Sequence, residues 1–253
     1  ANDPHRSLSN PSLRYMAHLV APGWNVIGGG EPEIPGISIG HNGVGAWGLT
    51  VFRTDAEDLY VYDLNPNNYL QYMHKGKWRN FKIVNESIAV KDKDNVNVEL
   101  FYSVHGPVTF IDEKRNKAYA VKNAWSEVGG SPYLASLRMD QAKNWEEYRK
   151  ASNYFNIPGE NMVWADKYGD IGWQAVGIAP IRKAHSGLVP VSGNGNFEWE
   201  NYIEIIKKPN LFNPEKGYIA TANQNVTPDD YDRWDVIGYD WADPYRGDRI
   251  NSF

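Results

Sequence analysis

Short apolar runs separated by polar turns dominate the chain, and this pattern favours strands over helices. The predicted strands lie at residues 44–52, 97–111, 117–124, 162–165, 171–178 and 217–223. Polar residues at 112–116 and 167–170 separate neighbouring runs and predict two hairpin turns. A chain of this kind is expected to build antiparallel sheets.

Helical patterns are fewer and shorter. Residues 144–156 begin with a capping Asn144, place Trp145 and Tyr148 on one stripe, and stop before Pro158-Gly159. Two further patterns predict short helices at residues 66–73 and 132–141. The balance predicts an α+β fold that is rich in antiparallel strands.

Composition narrows the function classes. The 253 residues carry a net charge of −5 and no long basic run, which argues against a nucleic-acid surface. No apolar stretch approaches the length of a membrane span. The absence of cysteine excludes a disulfide scaffold, a thiolate nucleophile and a cysteine zinc site.

The stretch from residue 40 to residue 58 holds the densest signals. Asn42-Gly43 marks a tight turn, and the strand after it is interrupted by Gly45 and Gly48. Glycines inside a strand indicate that another group approaches the backbone closely. An acidic cluster follows the strand directly, so this stretch predicts one wall of a binding site.

Three other motifs accompany this stretch. They are Asp3-Pro4-His5-Arg6, the segment from Pro158-Gly159 to Gly172, and residues 221–228 followed by Asp235 and Arg246. No Gly-x-Ser-x-Gly elbow, His-Glu-x-x-His helix or P-loop is present.

Taken in order, these motifs resemble the penicillin acylase family of N-terminal-nucleophile hydrolases over essentially the whole chain. The resemblance implies part of an αββα sandwich and a single domain over residues 1–253, truncated at both ends. The chain would be the front half of the large catalytic subunit. We expect a partner in the small subunit of the same precursor, self-cleavage during maturation, and export to the periplasm or secretion.

The implied reaction is hydrolysis of a linear amide in a small N-acyl substrate, such as a β-lactam or an N-acyl-homoserine lactone. Family members use an N-terminal Ser whose own α-amino group is the base. This Ser would lie upstream of Ala1, so the chain alone is expected to be inactive.

The resemblance also assigns catalytic roles. The backbone N–H of Val51 and the side-chain amide of Asn225 would hold the oxyanion. His5 would lie near the nucleophile, and Arg246 would position Asn225 or bind a substrate carboxylate.

Three of these assignments have an alternative. His5 could be a surface or capping residue. Asn225 precedes Thr227-Pro228 and could be a turn residue. Arg246 could instead form an ion pair with Asp243 or Asp248.

The resemblance places Arg6, Ser38, Ile39, Leu49 and Val51 in the wall of the acyl pocket. This wall is aliphatic with one cation, which predicts an aliphatic acyl chain or an acidic side chain in the substrate.

A structural calcium ion is implied as well, and no organic cofactor. Its ligands would be the carboxylates of Asp55, Asp58 and Asp235 and the carbonyl of Glu57, with one more ligand from the small subunit. A solvated acidic loop is the alternative.

Two rival hypotheses remain. The chain could be an aromatic-rich β-domain that binds carbohydrate or peptide without catalysis, since it has ten Trp and sixteen Tyr residues. It could also belong to a degenerate homologue that keeps the fold and has lost the nucleophile.

Overall fold

Antiparallel strands supply most of the regular structure in the computed structural model, which describes residues 7–131 and 133–253. The chain divides into two units. Unit 1 comprises residues 1–55, 128–179 and 202–253, and unit 2 comprises residues 56–127 and 180–201. The single domain expected over residues 1–253 stays a prediction. His5 and Arg6 lie outside the described residues.

The strands are β1 (Tyr15–Ala21), β2 (Trp24–Gly30), β3 (Ile39–His41), β4 (Gly45–Val51), β5 (Glu57–Asn65), β6 (Asn68–His74), β7 (Lys77–Asn80), β8 (Lys82–Ile88), β9 (Val96–Ser103), β10 (Gly106–Asp112), β11 (Lys117–Asn123), β12 (Glu160–Asp166), β13 (Ile171–Ala175), β14 (Ala179–Arg182), β15 (Val191–Ser192), β16 (Trp199–Ile203) and β17 (Asn210–Phe212). The α-helices are α1 (Ser136–Met139), α2 (Trp145–Ser152), α3 (Trp234–Ile237) and α4 (Tyr245–Asn251), and short 3₁₀ turns lie at Ala124–Ser126 and Ile205–Lys207. None of the helices in the described ranges has the length and apolar character that crossing a membrane requires.

Unit 1 is built on a seven-stranded sheet in the order β1-β2-β3-β4-β12-β13-β17. β4 lies in the middle and pairs antiparallel with β12, with Trp47 opposite Trp164 and Leu49 opposite Met162. These four side chains are buried and form one core with α2, whose Tyr148 ring lies 4.8 Å from the ring of Trp164. Because alternate residues of a strand share a face, the core fixes the register of β4.

Gly45 confirms the expectation that a glycine of this strand admits a close neighbour. A Cβ added to Gly45 would lie 1.9 Å from a ring carbon of Trp164. Because Gly45 has no side chain, the indole ring of Trp164 on β12 can pack directly against the backbone of β4.

Replacing Gly45 with alanine is expected to lower the free energy of unfolding by about 1–3 kcal/mol, because the new methyl group overpacks the core. Thermal melting of the full-length protein measures the effect. Gly29→Ala is the control, since its added Cβ would meet its nearest neighbour at an ordinary 3.6 Å. Equal melting temperatures for the two variants would contradict the argument.

Unit 2 carries a second antiparallel sheet, in the order β7-β6-β5-β11-β10-β9-β8, with β15 added parallel to β5. Its core is aromatic and contains Tyr60, Tyr62, Tyr72 and Phe81. A two-stranded sheet pairs β14 with β16.

Several predicted elements are confirmed. β4, β9, β10, β11, β12 and β13 occupy the predicted strand regions. The helix at 144–156 is α2, and the side chain of Asn144 caps it by accepting the N–H of Glu147. The predicted helix at 132–141 is confirmed only over the four residues of α1.

Two predicted elements are wrong. Residues 66–73 form most of β6, which is held in a hairpin by β7. Residues 217–223 form no strand, because Gly217 and Asn223 have positive φ values of 73° and 68°. The side chain of Gln224 binds backbone groups of Ala220 and Ala222, in place of a neighbouring strand.

Candidate active site

The carboxyl end of β4 presents an exposed peptide edge at Val51. The next residue, Phe52, donates its N–H to the carbonyl of Gly159 at 3.0 Å. Because the hydrogen-bonding groups of successive strand residues point in opposite directions, the N–H of Val51 points away from the backbone of β12. The carbonyl of Val51 accepts the side-chain amide of Asn161 at 3.2 Å. Val51 is 47% exposed, so the end of β4 is accessible to solvent.

Asn223 is the asparagine that meets this edge. Its Nδ2 donates to the carbonyl of Val51 at 3.1 Å, and its Oδ1 accepts a hydrogen bond from Nη2 of Arg246 at 2.9 Å. The backbone carbonyl of Asn223 accepts the N–H of Ala242 at 3.1 Å. The two side-chain contacts hold the amide group beside the peptide edge, and the third fixes the backbone of Asn223.

Asn225, the residue predicted for this role, has the contacts of a turn residue. Its Oδ1 accepts the N–H of Thr227 at 3.0 Å, which is the side-chain pattern of an Asx turn. The amide bonded to the carbonyl of Val51 is thus that of Asn223, and the catalytic role of Asn225 stays a prediction. A signal in the sequence could have separated the two residues, because Thr227-Pro228 marks Asn225 as the turn former.

Arg246 lies in the first turn of α4 and binds an asparagine side chain, although not that of Asn225. It donates to Asn223, two residues before Asn225. Asp243 accepts the N–H of Tyr245, and the ion pairs found among the described residues include none between Arg246 and either Asp243 or Asp248.

A buried asparagine that the sequence analysis missed supports the end of β4. Asn161 is fully buried, and its Nδ2 donates to Oγ1 of Thr50 at 3.1 Å and to the carbonyl of Val51 at 3.2 Å. Its Oδ1 accepts from Nε1 of Trp173 at 2.9 Å. Thr50 in turn donates to Oγ1 of Thr221 at 3.0 Å, which links β4 to the segment that carries Asn223.

The predicted acyl-pocket residues that the structure describes are mostly enclosed. Ser38 is 1% exposed and Leu49 is 7% exposed, while Ile39 is half-buried against the same core. Their role in binding an acyl group stays a prediction.

A pocket of about 400 Å³ lies elsewhere in unit 1. Trp173, Trp241, Gln224, Asn225 and Asp248 are among its lining residues, whereas Val51 and Asn223 are not.

A buried carboxylate lies behind residues 37–39. Asp140 is 3% exposed, and its oxygens accept the N–H of Ile37 at 3.1 and 3.3 Å. Asn42 of the Gly-rich turn donates to the carbonyl of Asp140 at 3.1 Å. Burial raises the pKa of the Asp140 carboxyl to about 7, although the hydrogen bond from Ile37 opposes this rise.

Among the predicted calcium ligands, Asp58 is already neutralised within unit 2. Nε of Arg182 lies 3.1 and 2.9 Å from its two oxygens, Nε2 of His185 lies 3.1 Å from Oδ2, and Nε1 of Trp199 donates to the same oxygen. Burial of such a carboxylate is stable when a cation and further donors satisfy it.

In unit 1, both oxygens of Asp235 accept from Arg233, at 3.0 and 3.1 Å. No group of three or more acidic or histidine side chains that could hold a metal ion occurs in the described ranges. As they stand, Asp58 and Asp235 do not fit a calcium ligand set, because arginine already supplies the positive charge.

Comparison with known proteins gives consistent matches. A family model described as penicillin amidase matches residues 1–253. Penicillin G acylase of Escherichia coli is 31% identical over 95% of this chain and 28% of that protein. Acyl-homoserine lactone acylase QuiP of Pseudomonas aeruginosa is 28% identical over 99% of this chain and 31% of that protein. Penicillin acylase 2 proenzyme of Pseudomonas sp. (strain SE83) is 28% identical over 99% of this chain and 32% of that protein.

Among solved structures, a thermostable penicillin G acylase from Alcaligenes faecalis matches with a TM-score of 0.81 and 31% sequence identity, covering 87% of this chain and 40% of that chain. This likeness confirms the predicted α+β sandwich. The chain spans less than a third of the length of the curated relatives, with covered shares of 28%, 31% and 32%.

Proposed function

Because this chain belongs to the penicillin amidase family, we propose that it is the oxyanion-binding part of an amidohydrolase that cleaves linear amide bonds in small N-acyl substrates. The observation that carries the proposal is the amide of Asn223, which is held by Arg246 against the open peptide edge of Val51. A serine and its α-amine, supplied by the rest of the protein, would be nucleophile and base.

The chemistry explains why two donors are needed at one edge. Attack on an amide carbonyl creates a negative oxygen, and preorganised N–H groups lower the barrier by stabilising that charge. Nδ2 of Asn223 carries two hydrogens, of which one binds the carbonyl of Val51. The second hydrogen and the N–H of Val51 then serve the oxyanion from neighbouring positions.

Arg246 strengthens this arrangement. Its guanidinium group binds Oδ1 of Asn223 and so polarises the amide toward stronger N–H donation. It also fixes which end of the amide faces Val51, because Arg246 has donors only and can bind the oxygen alone.

The substrate proposal follows the relatives and the predicted acyl pocket. The relatives are named penicillin and acyl-homoserine lactone acylases. We propose a substrate of the same N-acyl class, with Arg6, Ser38, Ile39 and Leu49 beside its acyl group and with His5 near the nucleophile.

The binding-module rival receives no support from the core of unit 1. It requires exposed aromatic side chains on one face, whereas Trp47, Trp164 and Trp173 are at most 4% exposed. These aromatics stabilise the sheet instead.

The deciding experiment is the mass and the N-terminal residue of the large subunit after expression of the uncut gene, followed by an assay with N-acyl substrates. A new N-terminal serine upstream of Ala1, a released small subunit and liberated carboxylic acid would support the proposal. An unprocessed chain without amide hydrolysis would overturn it in favour of a degenerate homologue.

Calcium is proposed for the assembled protein on the sequence resemblance. An exposed ion pair such as that of Asp235 with Arg233 is worth at most about 1 kcal/mol, so a cation can displace it at little cost.

Chelation is therefore expected to lower the melting temperature of the full-length protein, and added Ca²⁺ but not Mg²⁺ should restore it. An unchanged melting curve, together with metal analysis that finds no calcium, would show that the arginine pairs replace the ion.

A further inference from the structure

Lys208 is a cation at an unusual place, because its residue is 0% exposed in the interior of unit 1. It follows the 3₁₀ turn Ile205–Lys207 and precedes β17. Its Nζ lies 2.6 Å from Oγ1 of Thr54 and 2.8 Å from the carbonyls of both Val176 and Gly177. Burial lowers the pKa of the Lys208 amine well below its usual value.

The three partners match an amine in either protonation state. An ammonium group has three N–H donors, and all three oxygens can accept. A neutral amine gives its two N–H bonds to the carbonyls of Val176 and Gly177, and its lone pair accepts the hydroxyl of Thr54. The hydrogen bonds therefore persist whichever state the buried group adopts.

These contacts lie where β4 ends. Thr54 follows Val51 by three residues, and its N–H closes a tight turn onto the carbonyl of Phe52 at 2.7 Å. The ring of Phe52 lies 5.0 Å from Nζ of Lys208. Lys208 thus fixes the chain directly after the residue that presents its N–H to the proposed oxyanion.

The opposing strand is held at the same point. Glu160 pairs with Val51 across the ladder, and its carbonyl accepts the N–H of Val176 at 2.8 Å. Lys208 binds the carbonyl of that same Val176. The chain directly after β4 is therefore bound to the Lys208 amine through Thr54, and β12 is linked to the same amine through Val176.

Two glycines at this point allow the backbone segments to pack against one another without intervening side chains. A Cβ on Gly159 would lie 2.6 Å from the carbonyl oxygen of Phe52 and 3.0 Å from Oγ1 of Thr54. A Cβ on Gly177 would lie 2.6 Å from Cα of Gly159. The backbones are in direct contact, so a movement of one is transmitted to the others.

We propose that Lys208 is a positioning residue for the oxyanion donor Val51, which holds the end of β4 so that the N–H of Val51 lies where the reaction needs it. This inference rests on the proposed function of Val51. A displacement of about 1 Å at such a site can reduce the rate about 10²-fold, which makes a buried tether valuable.

The test compares two neighbouring lysines in the full-length enzyme. Lys208→Met keeps the length and bulk of the side chain but removes its donors. Lys207→Met is the matched control, because Lys207 is exposed and pairs only with Glu204 on the same turn among the described ion pairs.

We expect Lys208→Met to lower kcat by about 10- to 100-fold with KM within about threefold, which is the signature of a lost transition-state interaction. Lys207→Met should leave both constants unchanged. A Lys208→Met enzyme that is folded and retains the kcat of the wild type would overturn the proposal, even if its melting temperature is lower.

Thr54→Val provides a second route if Lys208→Met does not fold. It removes one partner of the amine and leaves Lys208 in place. We expect kcat to fall in this variant with KM little changed, and a folded Thr54→Val enzyme with the kcat of the wild type would contradict the tether. Where both single variants fold, the double variant should lose less than the product of the two single losses. Strictly multiplicative losses would contradict a shared tether.

Hydrogen–deuterium exchange separates this inference from the proposed function. Exchange over residues 51–54 should become faster in Lys208→Met than in Lys207→Met, whether or not the wild type hydrolyses an amide. An inactive wild type would end the proposed function, while faster exchange would still support the tether. Unchanged exchange at residues 51–54 would overturn the tether whatever the activity.

Discussion

Replacing Asn223 with alanine is expected to reduce kcat of the full-length enzyme by about 10²–10³, with a smaller change in KM. The variant removes the Nδ2 group that lies beside the peptide edge of Val51 and leaves the backbone of the segment in place. Steady-state kinetics on an N-acyl substrate measures the loss. Because the interaction develops with the charge on the oxyanion, binding of the uncharged ground state should suffer little.

Asn225→Ala is the matched control, since it changes the same residue type two positions away. Asn225 binds the N–H of Thr227 in a turn, so its loss is expected to cost some stability and less than about threefold in kcat. The opposite result, with Asn225→Ala inactive and Asn223→Ala active, would restore the assignment made from the sequence.

The difference between these two asparagines shows what the sequence could predict. The motif Thr221-Ala222-Asn223-Gln224-Asn225 predicts an asparagine beside Val51, and the structure has the side chain of Asn223 bonded to the carbonyl of Val51. Which asparagine turns toward Val51 depends on a positive φ at Asn223 and on the way Gln224 binds the flanking backbone. Both are local features without a periodic signal, so only the turn chemistry of Thr227-Pro228 distinguishes the two asparagines in the sequence.

Local pattern sufficed for the strand that carries Val51. Its apolar alternation and the glycine beneath Trp164 follow from strand geometry, and β4 lies where the pattern predicts it. The same kind of pattern wrongly predicted a strand at residues 217–223. There the side chain of Gln224, and not a neighbouring strand, binds the backbone.

The burial of particular charged residues was the feature of the fold that the sequence predicted least well. Nothing in the run Ile205-Ile206-Lys207-Lys208 distinguishes the exposed lysine from the buried one. The distinction comes from the carbonyls of Val176 and Gly177, which are more than 30 positions away in the sequence. Asp58 is similar, since its arginine partner lies 124 positions further along the chain.

The stability of the protein is expected to depend on pH through Asp140, the buried carboxyl that holds the N–H of Ile37. Its folded-state pKa of about 7 is raised above the value of about 4 in an unfolded chain. Folding therefore favours the protonated form, and this contribution to stability is present at acidic pH and is lost as the pH rises through 7. Between pH 5 and pH 8 the loss amounts to about 2–3 kcal/mol of unfolding free energy.

Asp140→Asn removes this titration while keeping an oxygen that can accept the N–H of Ile37. The melting temperature of the variant relative to wild type is therefore expected to increase steadily from pH 5 to pH 8. Burial and, to a smaller extent, the charge of Asp140 raise the pKa of Tyr148 well above 10, so Tyr148 stays neutral throughout this range. Asp229→Asn, at an exposed position, should show no such trend. A constant difference between Asp140→Asn and wild type at every pH would mean that the carboxyl is ionised throughout and that its burial is offset by the hydrogen bonds it accepts.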